Sequence, residues 1–308
     1  MKFCLSILLM LVYSDFIFSQ KQSLVNNSDT IIYSKYKNGK APFSYKGKMG
    51  IIDSLGNVVL EAKYDRVRSV FNDNSFSYHY IEIGKKEAVI DTNWKIIIPP
   101  IYDDISPSIE GFFTVKRNGL YTFVDTSGIQ MKEWFKEVKF FRCGLAPVKV
   151  KNRWGFINKL CNISIKTDYP KVSVFSENCL AAVKKNGKWG FINQNNQISI
   201  PCTYNKVRYF WNGLCAVKKG NKWGFIDSNE NIIIPFIYDD ALFFLCELAS
   251  VKINGKYGFI NMSNEFVIPP IYIKAHTFGK DSKNTMVKKN LFKWIWINKK
   301  GECVYSCD

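Results

Sequence analysis

An all-β tandem array of about eight repeats is the fold class this sequence predicts. Three observations predict it. A short phrase, Trp-Gly-Phe-Ile followed by Asn or Asp, recurs at a nearly constant interval. Aromatic residues make up 16% of the chain, and rings, like β-branched side chains, suit a pleated, half-buried surface. No segment sustains a 3.6-residue apolar period, so long helices are not expected. The 308 residues are 47% hydrophobic and 22% charged, which is a folding composition. Length alone suggests two domains at about 150 residues each, but a repeat array overrides that count.

Residues 1–19 read as a secretory signal peptide. Lys2 supplies the positive start, residues 3–12 form a short apolar run, and Ser19 is a small residue at the cleavage point. The run is too short for a membrane span, and no later run reaches that length, so no transmembrane span is expected after cleavage. Cys4 lies too early for a lipoprotein site. Residues 20–34 are a lead-in, and 35–308 the repeat domain, its last unit truncated. The net charge is +17, from 43 basic and 26 acidic residues. Losing 1–19 removes Lys2 and Asp15 and leaves it unchanged.

The phrase is intact at 154–158, 189–193 and 223–227. Residues 257–261 read YGFIN and 49–53 MGIID, with weaker copies at 87–91, 121–125 and 294–298. Successive starts lie 33 to 38 residues apart. The candidate repeat-defining residues are Trp154 with Gly155, Trp189 with Gly190, Trp223 with Gly224, Tyr257 with Gly258, and Trp294. Before each phrase lies a strand and a tight turn. Asn118-Gly119, Asn186-Gly187 and Asn254-Gly255 are two-residue hairpin signals, since both central positions need positive φ. After each phrase come a polar turn and a third strand, as in Ile-Ile-Pro-x-x-Tyr-Asp at 97–103 and 233–239; its Pro marks an edge or strand end. A Phe-rich connector leads onward. Each unit therefore reads as a three-stranded antiparallel meander. Within the phrase, Trp and Phe share one face and Gly and Ile the other, so both faces need cover, which stacked neighbours supply. The glycine allows a neighbouring ring or backbone to approach closely. Residues 132–137 have a local helical pattern that the register of the array overrides.

These residues carry a resemblance. The phrase Lys-Trp-Gly-Phe-Ile with the following Ile-Ile-Pro-x-x-Tyr-Asp is similar to that of the WG-repeat (KWG-repeat) proteins, common as exported bacterial proteins. It covers roughly residues 35–300. It is specific in the four units between Cys143 and Ala275, and degraded at Glu87, Thr122 and Ile295. The resemblance implies an all-β repeat protein and no defined enzymatic activity. A three-stranded unit of about 34 residues favours an open, solenoid-like stack over a blade of a propeller, which typically has four strands. The alternative is a closed, eight-bladed propeller-like ring, in which Ile31-Ile32-Tyr33 completes the truncated last unit.

The motifs of common catalytic sites are missing: no nucleophile elbow, phosphate-binding loop, HExxH or dinucleotide-binding glycine run occurs. His79 and His276 are the only histidines, and lack a constellation of partners. Eight cysteines follow the signal segment. No CxxC occurs, so a zinc site is not expected. Most read as small buried hydrophobes, and Cys303 with Cys307 as a pair near the tail. The Asx residues ending each phrase read as turn caps. The column Tyr64, Tyr102, Tyr169, Tyr204, Tyr238 and Tyr272 reads as core rather than a sugar platform.

Charge placement is more suggestive. Basic residues recur beside every first hairpin turn: in the best repeats Lys149, Lys151 and Arg153; Lys184, Lys185 and Lys188; Lys218, Lys219 and Lys222; Lys252 and Lys256. Stacking would align them as a candidate anion-binding ridge; the bland reading is that they block edge pairing. The sequence thus points to an exported, non-enzymatic scaffold without cofactors, its partner a protein or surface polymer. The alternative is a lectin-like module for an anionic glycan or lipopolysaccharide; nucleic acid is not expected.

Overall fold

The computed structural model describes residues 32–33, 39–70, 78–279 and 282–307. The signal segment 1–19 lies outside the described residues, as does the lead-in 20–34 except Ile32 and Tyr33. Among the described residues there is no helix, and 31 strands form eight antiparallel sheets. The chain divides into two compact units. One comprises the described residues of Met1–Pro107 with Val115–Gly119 and Val124–Gln130; the other Ser108–Thr114, Leu120–Phe123 and Met131–Asp308. Sheets one and two belong to the first unit and sheets four to eight to the second.

Seven of the eight sheets have four strands, not three. The extra strand comes from the connector. In the sixth sheet, Lys206–Val207 pairs with Cys215–Lys219, followed in order by Lys222–Ile226 and Ile232–Tyr238. The strand-count argument for an open stack therefore falls. Ile32–Tyr33 pairs with Phe43 and Ser44 of the first sheet, and the eighth sheet ends on its own Cys303–Tyr305, so Ile32 and Tyr33 do not complete the last unit; Ile31 lies outside the described residues. Residues 132–137 contain no helix, and Phe135 bridges Tyr121 instead.

The hairpins form as their sequences dictate. Asn118, Asn186 and Asn254 and the glycines after them all have positive φ. Between the phrase and the fourth strand runs a regular bulge. Trp223 faces Tyr238 and Phe225 faces Ile234, so Pro235, Phe236 and Ile237 bow out opposite Gly224 alone. A Cβ on Gly224 would sit 2.6 Å from the Ile234 carbonyl oxygen, and Gly50, Gly155, Gly190 and Gly258 make the same approach at 2.5 or 2.6 Å. The backbone approaching each glycine is that of its own repeat. Ala88 holds this place in the second sheet and keeps the register. Thr122 holds it in the third. Its Oγ1 donates to the carbonyl of Glu133 at 2.7 Å or of Met131 at 3.3 Å, and isolated bridges replace the fourth strand there.

The polar turn is capped identically in all eight repeats. In each, the Oδ1 of Asp53, Asp91, Asp125, Asn158, Asn193, Asp227, Asn261 or Asn298 accepts the backbone N–H groups two and four residues on. The Asx column is structural, as read from sequence.

Within the second unit, consecutive sheets bury a shared core. The Phe of each phrase meets a connector Phe: Phe123–Phe141, Phe156–Phe175, Phe191–Phe210, Phe225–Phe244 and Phe259–Phe278, with centroids 4.8 to 5.2 Å apart. The Tyr column is buried too, except half-buried Tyr169. Its hydroxyls donate to the turn of the following repeat: Tyr169 to Asn196, Tyr204 to Glu230 and Tyr238 to Asn264. In the first unit Tyr102 donates to Gln130. One disulfide, Cys143–Cys179, joins the fourth repeat to the fifth, and the other is Cys303–Cys307. The sequence pointed only to the second of these bonds. Of the four described cysteines outside these disulfides only Cys215 is buried, whereas Cys161, Cys202 and Cys246 are half-buried, which corrects the reading of most as buried hydrophobes.

Candidate functional site

Side chains alternate along a strand, and this divides the basic hairpin residues between two faces. Lys149, Lys184, Lys218 and Lys252 stand directly across from the phrase ring of their own repeat: Trp154, Trp189, Trp223 and Tyr257. Lys185 and Lys219 fall on the opposite face, across from Lys188 and Lys222. Lys151 lies in the turn itself, with positive φ, Arg153 is exposed and donates to the Asp168 carbonyl, and Lys256 is exposed across from Ile253. Two basic residues of the ridge are neutralised: Lys149 by Glu137 and Lys222 by Asp239, both at 2.6 Å. The carboxylate next to Lys222 holds its own protonation well below the usual range, because Asp239 is bonded to Lys222 and to the Gly255 amide.

Two phrase rings are capped by cations one residue past the connector strand. The guanidinium of Arg208 lies 5.0 Å over Trp223, and the ammonium of Lys139 lies 5.3 Å over Trp154. Each then reaches the next repeat, Arg208 to the Ala241 carbonyl and Lys139 to the Val172 carbonyl. Burial lowers the Lys139 pKa. His276 occupies the same column and packs 5.1 Å from Trp294, while His79 stacks on Trp94 at 4.4 Å. Trp154 and Trp223 are buried, whereas Trp189, Tyr257 and Trp294 are half-buried.

At Trp189, Trp223 and Tyr257 this column opens into a cleft of about 550 Å³. Sheets five, six and seven contribute its walls. Lys206, Arg208, Lys218 and Lys252 supply positive charge, against Asp239 and Asp240. Both carboxylates are engaged. Asp240 takes Arg208 on one oxygen at 3.3 Å and the Tyr257 hydroxyl on the other at 2.8 Å. Burial and that bond push the Tyr257 pKa up to about 12. Among the described residues neither Lys206 nor Lys218 has a carboxylate within 4.0 Å. Lys206, Arg208 and Asp240 were not singled out from sequence, and Asp239 only as the end of the phrase at 233–239. They lie in the connector, and only the pairing of its strand with the hairpin brings them to the ring column. No group of three or more His, Cys, Asp or Glu side chains able to hold a metal exists among the described residues. Nor is any helix there long and apolar enough to cross a membrane.

A second surface recurs on the outer edge. The fourth strand is the edge of each four-stranded sheet, and in the fourth to seventh sheets its first residue is a large exposed hydrophobe. Ile163, Ile198, Ile232 and Phe266 are 40% to 58% exposed. In the sixth and seventh repeats Ile237 and Ile271 on the same strand are exposed as well.

The chain matches the family described as WG containing repeat over residues 49–76, 89–121, 135–154, 154–189, 189–223, 223–257 and 257–290. No curated protein sequence matches it. Among solved structures it is similar to a crystal structure of the eukaryotic initiation factor, with 10% identity, TM-score 0.50, and 91% of this chain and 88% of that chain covered. Likenesses with lower scores include the dihydro-heme d1 dehydrogenase NirN, with 11% identity, TM-score 0.42, and 89% and 72% covered. Another is BamB from Moraxella catarrhalis, with 7% identity, TM-score 0.40, and 90% of each chain covered.

Proposed function

Since the chain belongs to the WG containing repeat family, we propose that it is an exported, non-enzymatic scaffold whose repeats present a continuous surface to a protein partner. The observation carrying this reading is the exposed apolar column Ile163, Ile198, Ile232 and Phe266 on successive edge strands. Exposed apolar surface that runs from one repeat to the next would mark an interaction site. The prolines of these strands, Pro201, Pro235 and Pro269, are exposed beside them, and proline limits unspecific edge pairing. Side-chain contacts, not strand addition, are then what the edge offers. Two disulfides support an oxidising compartment, as the signal-like segment 1–19 does.

The test is capture from the organism's envelope extract by the mature chain and by Ile198→Lys with Ile232→Lys. Exposed substitutions of this kind move stability by less than about 0.5 kcal/mol each. Selective loss of one captured protein is expected. An identical set of captured proteins overturns the reading.

A further inference from the structure

The pairing between the connector strand and the first hairpin strand places two side chains directly across from each other in every repeat. In four repeats these carry opposite charges: Arg66 and Glu82, Asp104 and Lys116, Glu137 and Lys149, Asp240 and Lys252. In the sixth repeat they are Lys206 and Lys218, and in the eighth Lys274 and Lys288. Like charges directly across a ladder are destabilising. Lys206 and Lys218 line the 550 Å³ cleft, where Lys252 and Arg208 join them. The two carboxylates that share the cleft are bonded to Lys222, Arg208 and Tyr257, so they do not neutralise Lys206 or Lys218. Half-buried Trp189 and Tyr257 line the same cleft.

We infer that this cleft is a binding site for a compact polyanion, a ligand carrying two or more phosphate or sulfate groups, held between Lys206, Lys218 and Lys252. The site deepens the scaffold reading by adding a ligand to it, but lies away from the apolar edge column. Phosphate and sulfate groups offer the same tetrahedral set of acceptor oxygens, and ammonium groups bind either as point charges.

The experiment is calorimetric titration of the mature chain with tripolyphosphate in one arm and a heparin hexasaccharide in the other. Binding in the first arm only identifies a phosphorylated ligand, and in the second only a sulfated sugar; either supports the site. Lys206→Glu recreates the opposite-charge pair of the seventh repeat, Asp240 and Lys252, so its melting temperature should equal or exceed that of the wild type. Its affinity should fall about tenfold or more, the loss of at least one charge-assisted bond. Lys206→Gln should fall between the two. Lys185→Glu makes the same charge change on the fifth repeat's hairpin, on the face opposite its ring, and should alter affinity about twofold or less. Absence of binding in both arms, or equal losses for Lys206→Glu and Lys185→Glu, overturns the inference. Defined anions are the probes here, not captured proteins. Failure of the scaffold reading therefore leaves this result standing, and failure here leaves the scaffold reading standing.

Discussion

At Gly190 the nearest heavy atom to a notional Cβ is the Ile200 carbonyl oxygen, 2.5 Å away. That atom belongs to the backbone, so the bulge must move if a side chain is added. Thr122 shows the consequence in the native chain: a β-branched residue there goes with loss of the fourth strand. Gly190→Val is therefore expected to cost about 3 kcal/mol, the upper part of the range for overpacking. Thermal unfolding would check it, and an unchanged melting temperature would refute the steric account. Trp223→Ala should cost about 3–5 kcal/mol, as large-to-small core changes do, because the ring is buried beneath Arg208. The glycine and the Asx cap were legible in sequence because each solves a local problem that returns in every repeat. The Cys143–Cys179 bond was not. Cys143 stands two residues before Leu145 and Cys179 one before Leu180. Their pairing depends on a Cα separation of 5.8 Å across two repeats, which no single column of the alignment reveals.

Each sheet is tied to the next by polar bonds as well as by its phenylalanines. Tyr204→Phe removes the hydroxyl that donates to Glu230 and keeps the ring in place. A cost of about 1 kcal/mol is expected, with faster amide exchange in the turn at 227–231. Burial and that same bond hold the Tyr204 pKa well above its ordinary value, so the contact should persist through neutral pH. Acid acts differently. Bonds to Asn57 and Asn231 hold Asp53 and Asp227 below the ordinary carboxylate value, and Lys48, Lys86 and Lys222 do the same for Asp65, Asp103 and Asp239. A carboxylate whose folded pKa lies below its unfolded value adds stability above the unfolded value, and that stability is lost as pH falls through the folded one. His79, lowered chiefly by burial, acts in the same direction from a higher start, since the unfolded chain protonates it first. Stability should therefore be level above about pH 6.5, decline slightly below it, and fall steeply below pH about 4. Denaturant titrations across that range would show it, and greater stability at pH about 3 than at 7 would contradict it. The connector strand escaped the sequence reading because it is two residues long in most repeats, too short for a visible period. The same gap hid Lys206 opposite Lys218. A column of single charges looks unremarkable until the register shows what faces it.

Stability in a repeat protein is largely the sum of what each repeat contributes and what it shares with its neighbours. The period of the phrase made that organisation legible before any strand was placed. Shared cores join the fourth sheet to the fifth, the fifth to the sixth, the sixth to the seventh and the seventh to the eighth. Only the first of these junctions is also covalent. Closing the 36-residue separation between Cys143 and Cys179 restricts the unfolded chain by about 4 kcal/mol on the loop-entropy account. The sixth, seventh and eighth sheets have no such link to a neighbour, since Cys303–Cys307 spans only four residues. Elsewhere the place of Cys143 is taken by Asn212, whose side-chain nitrogen donates to the Phe244 carbonyl, and by Cys246, whose thiol donates to the Gly279 carbonyl. These non-covalent bonds cross the sixth-to-seventh and seventh-to-eighth junctions and are indifferent to reductant. Reduction should therefore act locally. Under dithiothreitol, hydrogen exchange should quicken in residues 143–185 before it changes in 215–275, and Cys143→Ser with Cys179→Ser should reproduce the pattern without reductant. A uniform rise in exchange across all the sheets of the second unit would show instead that its repeats unfold as one cooperative block, with the disulfide stabilising all of them equally.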